Sequence, residues 1–258
     1  MNLRLPTGNN GFTITELLIV IIATGVISGA IFSFTFNYWR SSYAQQSSVD
    51  SLNSRLNAGD ILRELIASST GLINQNSIPD NNVLVPDPGN GLFWEELRAT
   101  TETRAASPGT ITPILYFKRF SFDSDRDIIF DNLIAYEDEY VLYMNGDDNI
   151  LYLRSIANTD APGNRLKTSC PPESATESCP ADRVVAEDVS ALDVRYFSRT
   201  GNVVDYTSVT DPDTGEFIGP DFSAAEVAEL IIHISRTPPF QQTATTQVST
   251  TIRVALRN

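Results

Sequence analysis

Glu16 is the residue whose type and setting ask most of the surrounding chain. It stands directly before Leu17–Trp39, a run with no charged residue. A carboxylate at the edge of a membrane core costs free energy, up to ~3 kcal/mol at a helix centre and less near the interface, so it calls for a partner. Cys170 and Cys179 are the only cysteines. They enclose an eight-residue segment, Pro171 to Ser178, with no CxxC redox spacing and no nearby His. That pattern reads as a structural disulfide formed in an oxidising compartment. Closing such a loop stabilises a fold by ~2.7 kcal/mol in the chain-entropy account. Two acidic clusters, Asp123-x-Asp125-x-Asp127 and Asp211-x-Asp213-x-Gly215-Glu216, offer oxygen ligands at alternate positions, as Ca²⁺ requires. Neither matches a full EF-hand loop, because Ile128 stands where Gly is needed and Gly215 comes one place early. Both read as solvated acidic turns, and no metal site is assigned. His233, the single histidine, alternates within Ile231–Ser235 and reads as a strand face position. With one His, no Gly-x-Ser-x-Gly elbow and no phosphate-binding Gly loop, the chain holds no catalytic constellation. The expectation is therefore a non-enzyme without a cofactor.

The element that must position Glu16 is a long helix. Leu17–Trp39 can cross a hydrocarbon core of ~30 Å at ~1.5 Å per residue. Tyr38 and Trp39 belong at the membrane–water interface, where rings with a polar edge are favoured. Beyond them Val49, Leu52, Leu56, Leu62 and Ile66 recur at helical spacing and predict an amphipathic continuation that packs on a sheet. No Pro occurs between Phe12 and Gly71, and Gly71 reads as the stop. Residues 12–70 are thus expected as one rod of ~85–90 Å. Gly59 interrupts the apolar face and marks either a close approach to the sheet, a bend, or a mild helix defect. Gly25, Gly29 and Ser33 fall at steps of four, a spacing that gives a flat stripe where another helix can approach, or that arises by chance.

Residues 1–11, MNLRLPTGNNG, are polar and carry one positive charge. An ordinary secretory signal has its small-residue cleavage site after the apolar run. Here Gly11 precedes it, so a cut after Gly11 would leave the hydrophobic segment at the start of the mature chain. The plainer alternative is an uncleaved signal anchor. Residues 71–258 form the expected globular unit. Residues 71–112 read as connecting structure, with Leu92–Arg98 as a helical turn. Strands are expected at Ile114–Phe122, Tyr140–Met144, Ile150–Arg154, Ala191–Ser198 continuing as Val203–Tyr206, Ala228–Ser235, and Val248–Leu256. Asn145-Gly146-Asp147-Asp148-Asn149 joins the second and third as a hairpin. A long helix followed by antiparallel strands is an α+β layout. The net charge is −14. The +1 of residues 1–11 cancels the −1 of residues 12–70, so all of it falls on residues 71–258, which should repel nucleic acid and anionic headgroups.

The junction Gly11, Phe12-Thr13-Ile14-Thr15-Glu16, Leu17-Leu18-Ile19-Val20 resembles the class III signal of type IV pilins and pseudopilins. That family pattern is a Gly, then Phe-Thr-Leu-x-Glu, then an apolar helix. The resemblance implies cutting between Gly11 and Phe12 by a prepilin peptidase and N-methylation of Phe12. It implies a pilin-like fold, in which a membrane-spanning helix packs on an antiparallel sheet, and assembly into or at the end of a helical filament. Glu16 would then pair with an α-amino group of Phe12, either its own or, as the resemblance favours, that of a neighbour. The acid disfavours a K-type tip subunit. More loosely, Val189–Tyr196 followed by Arg199-Thr200-Gly201-Asn202, the Leu230–Ile234 strand, and the ending Ile252 to Asn258 are similar to J-type minor pseudopilins and W-type minor pilins. The implied role is a minor subunit that initiates or caps a type IV pilus or a type II secretion pseudopilus. Implied partners are the peptidase, other pilins or pseudopilins, the inner-membrane assembly platform and the lipid bilayer, with no nucleic acid. The implied location is the inner membrane, single-pass, with the globular unit outside the cytoplasm, and later the filament. The competing reading from another class is a pilus-tip adhesin or receptor.

Overall fold

The computed structural model describes residues 13–97, 103–105, 107–198, 200–203, 209–210, 217–218, 227–236 and 246–255. One helix, α1, runs unbroken over Ile14–Ala67, 54 residues, or ~81 Å at ~1.5 Å per residue. The strands are β1 Gly71–Ile73, β2 Thr103–Ala105, β3 Ile111–Phe120, β4 Phe130–Asp131, β5 Ile134–Ala135, β6 Glu137–Asn145, β7 Ile150–Ile156, β8 Arg183–Ala186, β9 Val189–Phe197, β10 Val209–Thr210, β11 Phe217–Ile218, β12 Val227–Arg236 and β13 Thr246–Ala255. One five-stranded sheet has the order β1-β3-β6-β7-β8, and a four-stranded sheet has the order β13-β12-β9-β2. The pairings within both sheets are antiparallel. The coarse α+β expectation holds: a long apolar helix is followed by antiparallel sheets.

The helix does not stop at Gly71. It ends at Ala67, where Ser68 takes over the cap: its backbone N–H and its hydroxyl both donate to the Glu64 carbonyl. Ser69 Oγ donates to the Ile66 carbonyl at 2.7 Å. Hydroxyls thus satisfy carbonyls that the end of a helix leaves without intrahelical partners. Gly71 instead opens β1, opposite Lys118.

The buried stripe of the distal helix is also rotated from its expected line. Leu62 and Ile66 are buried as expected, joined by Ala58 and Leu65, but Val49, Leu52 and Leu56 are exposed. Ser47 and Ser51 are buried in their place. The Ser51 hydroxyl donates to the Ser47 carbonyl at 2.8 Å, so small residues reach the domain without an unsatisfied Ser51 hydroxyl. The helix packs on β13, β12 and β8. Gly59 lies beside β13: a Cβ there would sit 4.0 Å from Ile252 Cγ1, an ordinary contact. The helix runs through this point without a break, and the glycine there carries a conformational entropy cost. Gly59→Ala is expected to stabilise the chain by ~0.5–1 kcal/mol, read as a higher urea midpoint for the full chain in detergent. A lowered midpoint would show that Ile252 cannot accept the added methyl.

The strand expectations largely hold, with two physical differences. Leu115 and Phe117 on β3 face the helix side, in one apolar cluster with Leu62, Leu142 and Leu153. The opposite face is not solvated: Tyr116, Val141, Tyr143 and Tyr152 pack with Trp94 and Leu97 in a second cluster. The connecting segment after β1 therefore forms a third layer over the sheet. The expected helical turn at Leu92–Arg98 does not form over its described part, to Leu97. Trp94 is fully buried in extended chain, with its backbone N–H on Asn76 Oδ1 and its ring Nε1 on Asp80 Oδ2, both at 2.8 Å. Anchoring that indole from both ends outweighs the local preference for a turn. In the hairpin, Met144 opposes Leu151 and Asn145 opposes Ile150. Gly146 is obligatory there, because a Cβ would lie 1.9 Å from the Ser107 carbonyl oxygen. Val203 forms an isolated bridge with Phe197, while residues 204–206 and 256 lie outside the described residues.

Arg154 ties the third layer down. Its side chain is fully buried and makes a fork to Asp182, Nε to Oδ1 at 2.9 Å and Nη2 to Oδ2 at 2.7 Å. Its Nη1 donates to Asp80 Oδ2 at 3.0 Å and to the Asn82 carbonyl. The guanidinium carbon lies 5.4 Å from the centre of the Trp94 ring. Asp182 also accepts from Tyr143 Oη and Ser169 Oγ, each at 2.6 Å. Burial first, and the Asp182 charge second, raise the Tyr143 phenol, so it remains the donor in that pair.

Candidate functional site

The first half of α1 is the part of the chain that most needs an explanation. Among the described residues it is the one helix long and apolar enough to cross a membrane, and that span has none of its surface buried within the protein. Ile14, Val26, Phe32 and Phe34 are all more than two-thirds exposed. Two hydroxyls of this segment are satisfied within the helix. Thr24 Oγ1 donates to the Val20 carbonyl at 2.7 Å and Thr35 Oγ1 to the Ile31 carbonyl at 2.9 Å. These hydroxyls therefore need nothing from water, which a hydrocarbon core cannot supply. Phe32 and Phe36 stack one turn apart, with ring centres 6.4 Å apart. Tyr38 and Trp39 close the segment, exposed, at the end facing the domain. These features are compatible with a single-pass membrane protein.

Glu16 sits in the first turn of this helix. Thr13 is the N-cap, and the pair forms a reciprocal capping box. Glu16 N–H donates to Thr13 Oγ1 at 3.3 Å, and Thr13 N–H donates to Glu16 Oε2 at 3.0 Å. Thr13 Oγ1 also lies 3.0 Å from Glu16 Oε2, as donor. The carboxylate thus has local partners that sequence reasoning missed, although Thr-x-x-Glu ahead of an apolar run is the signature of such a box. Gly11 and Phe12 lie outside the described residues.

Gly25, Gly29 and Ser33 are exposed on the helix. A Cβ at either glycine would meet nothing within 4 Å, so no described element of this chain fills the stripe. The lower helix adds a second apolar line, Val49, Leu52 and Leu56, each about half exposed. It lies on the helix surface that the domain leaves uncovered.

The remaining sequence candidates have structural settings. Cys170 and Cys179 are bonded to each other. The bonded loop holds the backbone beside Arg154, since Asp182 N–H donates to the Cys170 carbonyl and Cys170 N–H to the Pro180 carbonyl, both at 2.8 Å. At the first acidic cluster, Asp123 Oδ1 accepts the backbone N–H groups of Asp125 and Asp127 at 2.9 and 3.0 Å. That side chain organises its own turn. Among the described residues no group of three His, Cys, Asp or Glu is arranged to hold a metal. The second acidic cluster, 211–216, lies outside them. His233 Nε2 lies 3.1 Å from Asp193 Oδ2 on the neighbouring strand, half-buried, as a sheet-face pair.

Comparison with protein-family models, curated proteins and solved structures finds no match for this chain.

Proposed function

We propose that this chain is a minor pilin or pseudopilin, a non-enzymatic subunit that helps initiate or cap a type IV filament. The observation that carries the reading is the continuity of α1. A helix whose first half is apolar and unburied runs without a break into a second half whose buried face is part of the domain core. A simple anchor needs no such rigid join, whereas a subunit that moves from bilayer to filament does. The same helix would be held by lipid before assembly and by neighbouring helices afterwards. The Gly25–Gly29–Ser33 stripe and the Val49–Leu52–Leu56 line supply surfaces for those neighbours. In this reading a prepilin peptidase cuts after Gly11 and Phe12 is methylated. The subunit waits in the inner membrane with its acidic domain outside the cytoplasm. The assembly platform and other pilins or pseudopilins are its partners.

Intact-mass spectrometry of the protein from its native membrane tests this. The expected mature chain begins at Phe12, carries one added methyl group and keeps the whole apolar run. A mature form that lacks the run, or an uncleaved chain in a membrane with active prepilin peptidase, overturns the reading.

A further inference from the structure

Three arginines and one lysine line a cavity of about 430 Å³. Arg119 reaches it from β3, Arg165 and Lys167 from the loop after β7, and Arg183 from the start of β8. Among the described residues no carboxylate side chain lines it. In a chain with 32 acidic residues against 18 Lys and Arg, such a lining runs against composition. None of the four cations takes part in the ion pairs formed among the described residues. Lys167 Nζ donates to the Glu177 backbone carbonyl at 3.0 Å, which places the ammonium without cancelling its charge. The Arg119 guanidinium lies over the Tyr140 ring at 5.6 Å, and its Nε is buried without a hydrogen-bond acceptor. The fold thus leaves one donor of this side chain without a partner.

We propose that this cavity is a binding site for a ligand that presents clustered carboxylates on a compact carbon body. Guanidinium forks match carboxylates in bidentate geometry, so three of them favour more than one oxyanion group. Leu65, Leu153, Leu166 and the Tyr140 ring supply an apolar floor for the carbon body. The volume falls in the range of small-molecule sites. Duplex nucleic acid fits less well, because it needs a track of phosphate contacts and the rest of the domain repels it. The carboxylates can come from a free polyacid or from acidic side chains of a partner's peptide segment. The site does not depend on the filament reading.

Titration calorimetry on the full chain in non-ionic detergent at low salt decides it, with citrate and a blocked tetraglutamate peptide as separate probes. Saturable binding of at least one probe is expected. It should weaken at least about tenfold in the Arg165→Glu/Arg183→Glu double variant, equivalent to ~1.4 kcal/mol. Both side chains are exposed, so an unchanged thermal midpoint is the control for folding. Citrate binding tighter than the peptide identifies a small polyacid as the source, and the reverse identifies a partner segment. The proposal fails if neither probe saturates, if binding survives the double variant, or if a short DNA duplex displaces either probe at comparable concentration.

Discussion

Arg154→Met is expected to destabilise the folded domain by about 3–5 kcal/mol, the cost of breaking a buried ion pair by removing one partner. Methionine nearly fills the volume, so the loss is electrostatic in origin. Asp182 and Asp80 would remain with their charges inside the protein and without the cation that both now face. Of the two, Asp182 loses the fork but keeps Tyr143 and Ser169 as donors. Asp80 keeps only the Trp94 indole on the oxygen that Arg154 now shares. The unfolding midpoint in urea, followed for the full chain in detergent, measures the effect. The triple variant Arg154→Met/Asp80→Asn/Asp182→Asn should recover part of the loss, because it removes the uncompensated charges along with their partner. A single variant within about 1 kcal/mol of the unaltered chain, the range of an exposed pair, would mean that water reaches the site. Hydrogen exchange should localise the loosening to the segment over Asn76–Leu97, since Arg154 is what holds Asp80 and the Asn82 carbonyl against the sheet.

That cluster was hard to read in the sequence for a definite reason. Arg154 closes the run Ile150-Leu151-Tyr152-Leu153, where it looks like the polar end of a strand. Yet it is in phase with Tyr152 and Ile156, and both belong to the face that the connecting segment covers. Alternation puts the residue on that same face, and only the third layer turns the face inward. Its partners Asp80 and Asp182 are 74 and 28 residues away in sequence, beyond any local pattern. The basic cavity escaped for the same reason, since its cations come from residues 119 to 183 and meet only in the folded chain. Local chemistry was legible where it is local: the hairpin at Asn145–Asn149, the Cys170–Cys179 pair and the helix itself. The distal helix was half legible. Its period was plain, but the choice between the Ser47–Ser51–Ala58 face and the Val49–Leu52–Leu56 face depends on how closely the sheets approach. Small side chains won the buried side and left the larger ones outside.

In the proposed pilin-like role, Glu16→Gln is expected to leave the fold, membrane insertion and cleavage after Gly11 unchanged, and to reduce incorporation into filaments or a tip complex about tenfold or more. Glutamine serves at the third helical position of a capping box as glutamate does. The amide oxygen can keep the bond from the Thr13 backbone N–H, and Thr13 keeps its bond from the residue-16 N–H. What the change removes is the charge. Glu16 lies ~46 Å along the helix from Ser47, the first residue buried against the domain, so the domain cannot sense the substitution. In the proposed filament, the carboxylate would meet the positive α-amino group of a neighbour's Phe12 away from water. Leaving such an amine uncompensated costs several kcal/mol, and ~1.4 kcal/mol already gives tenfold. Co-purification of the variant with sheared filaments or partner subunits, normalised to total membrane protein, reads the outcome. Incorporation at the unaltered level would assign the carboxylate to the Thr13 cap alone. A fall in membrane level as well would point to the helix start rather than to assembly, because the cap would then have failed with glutamine in place.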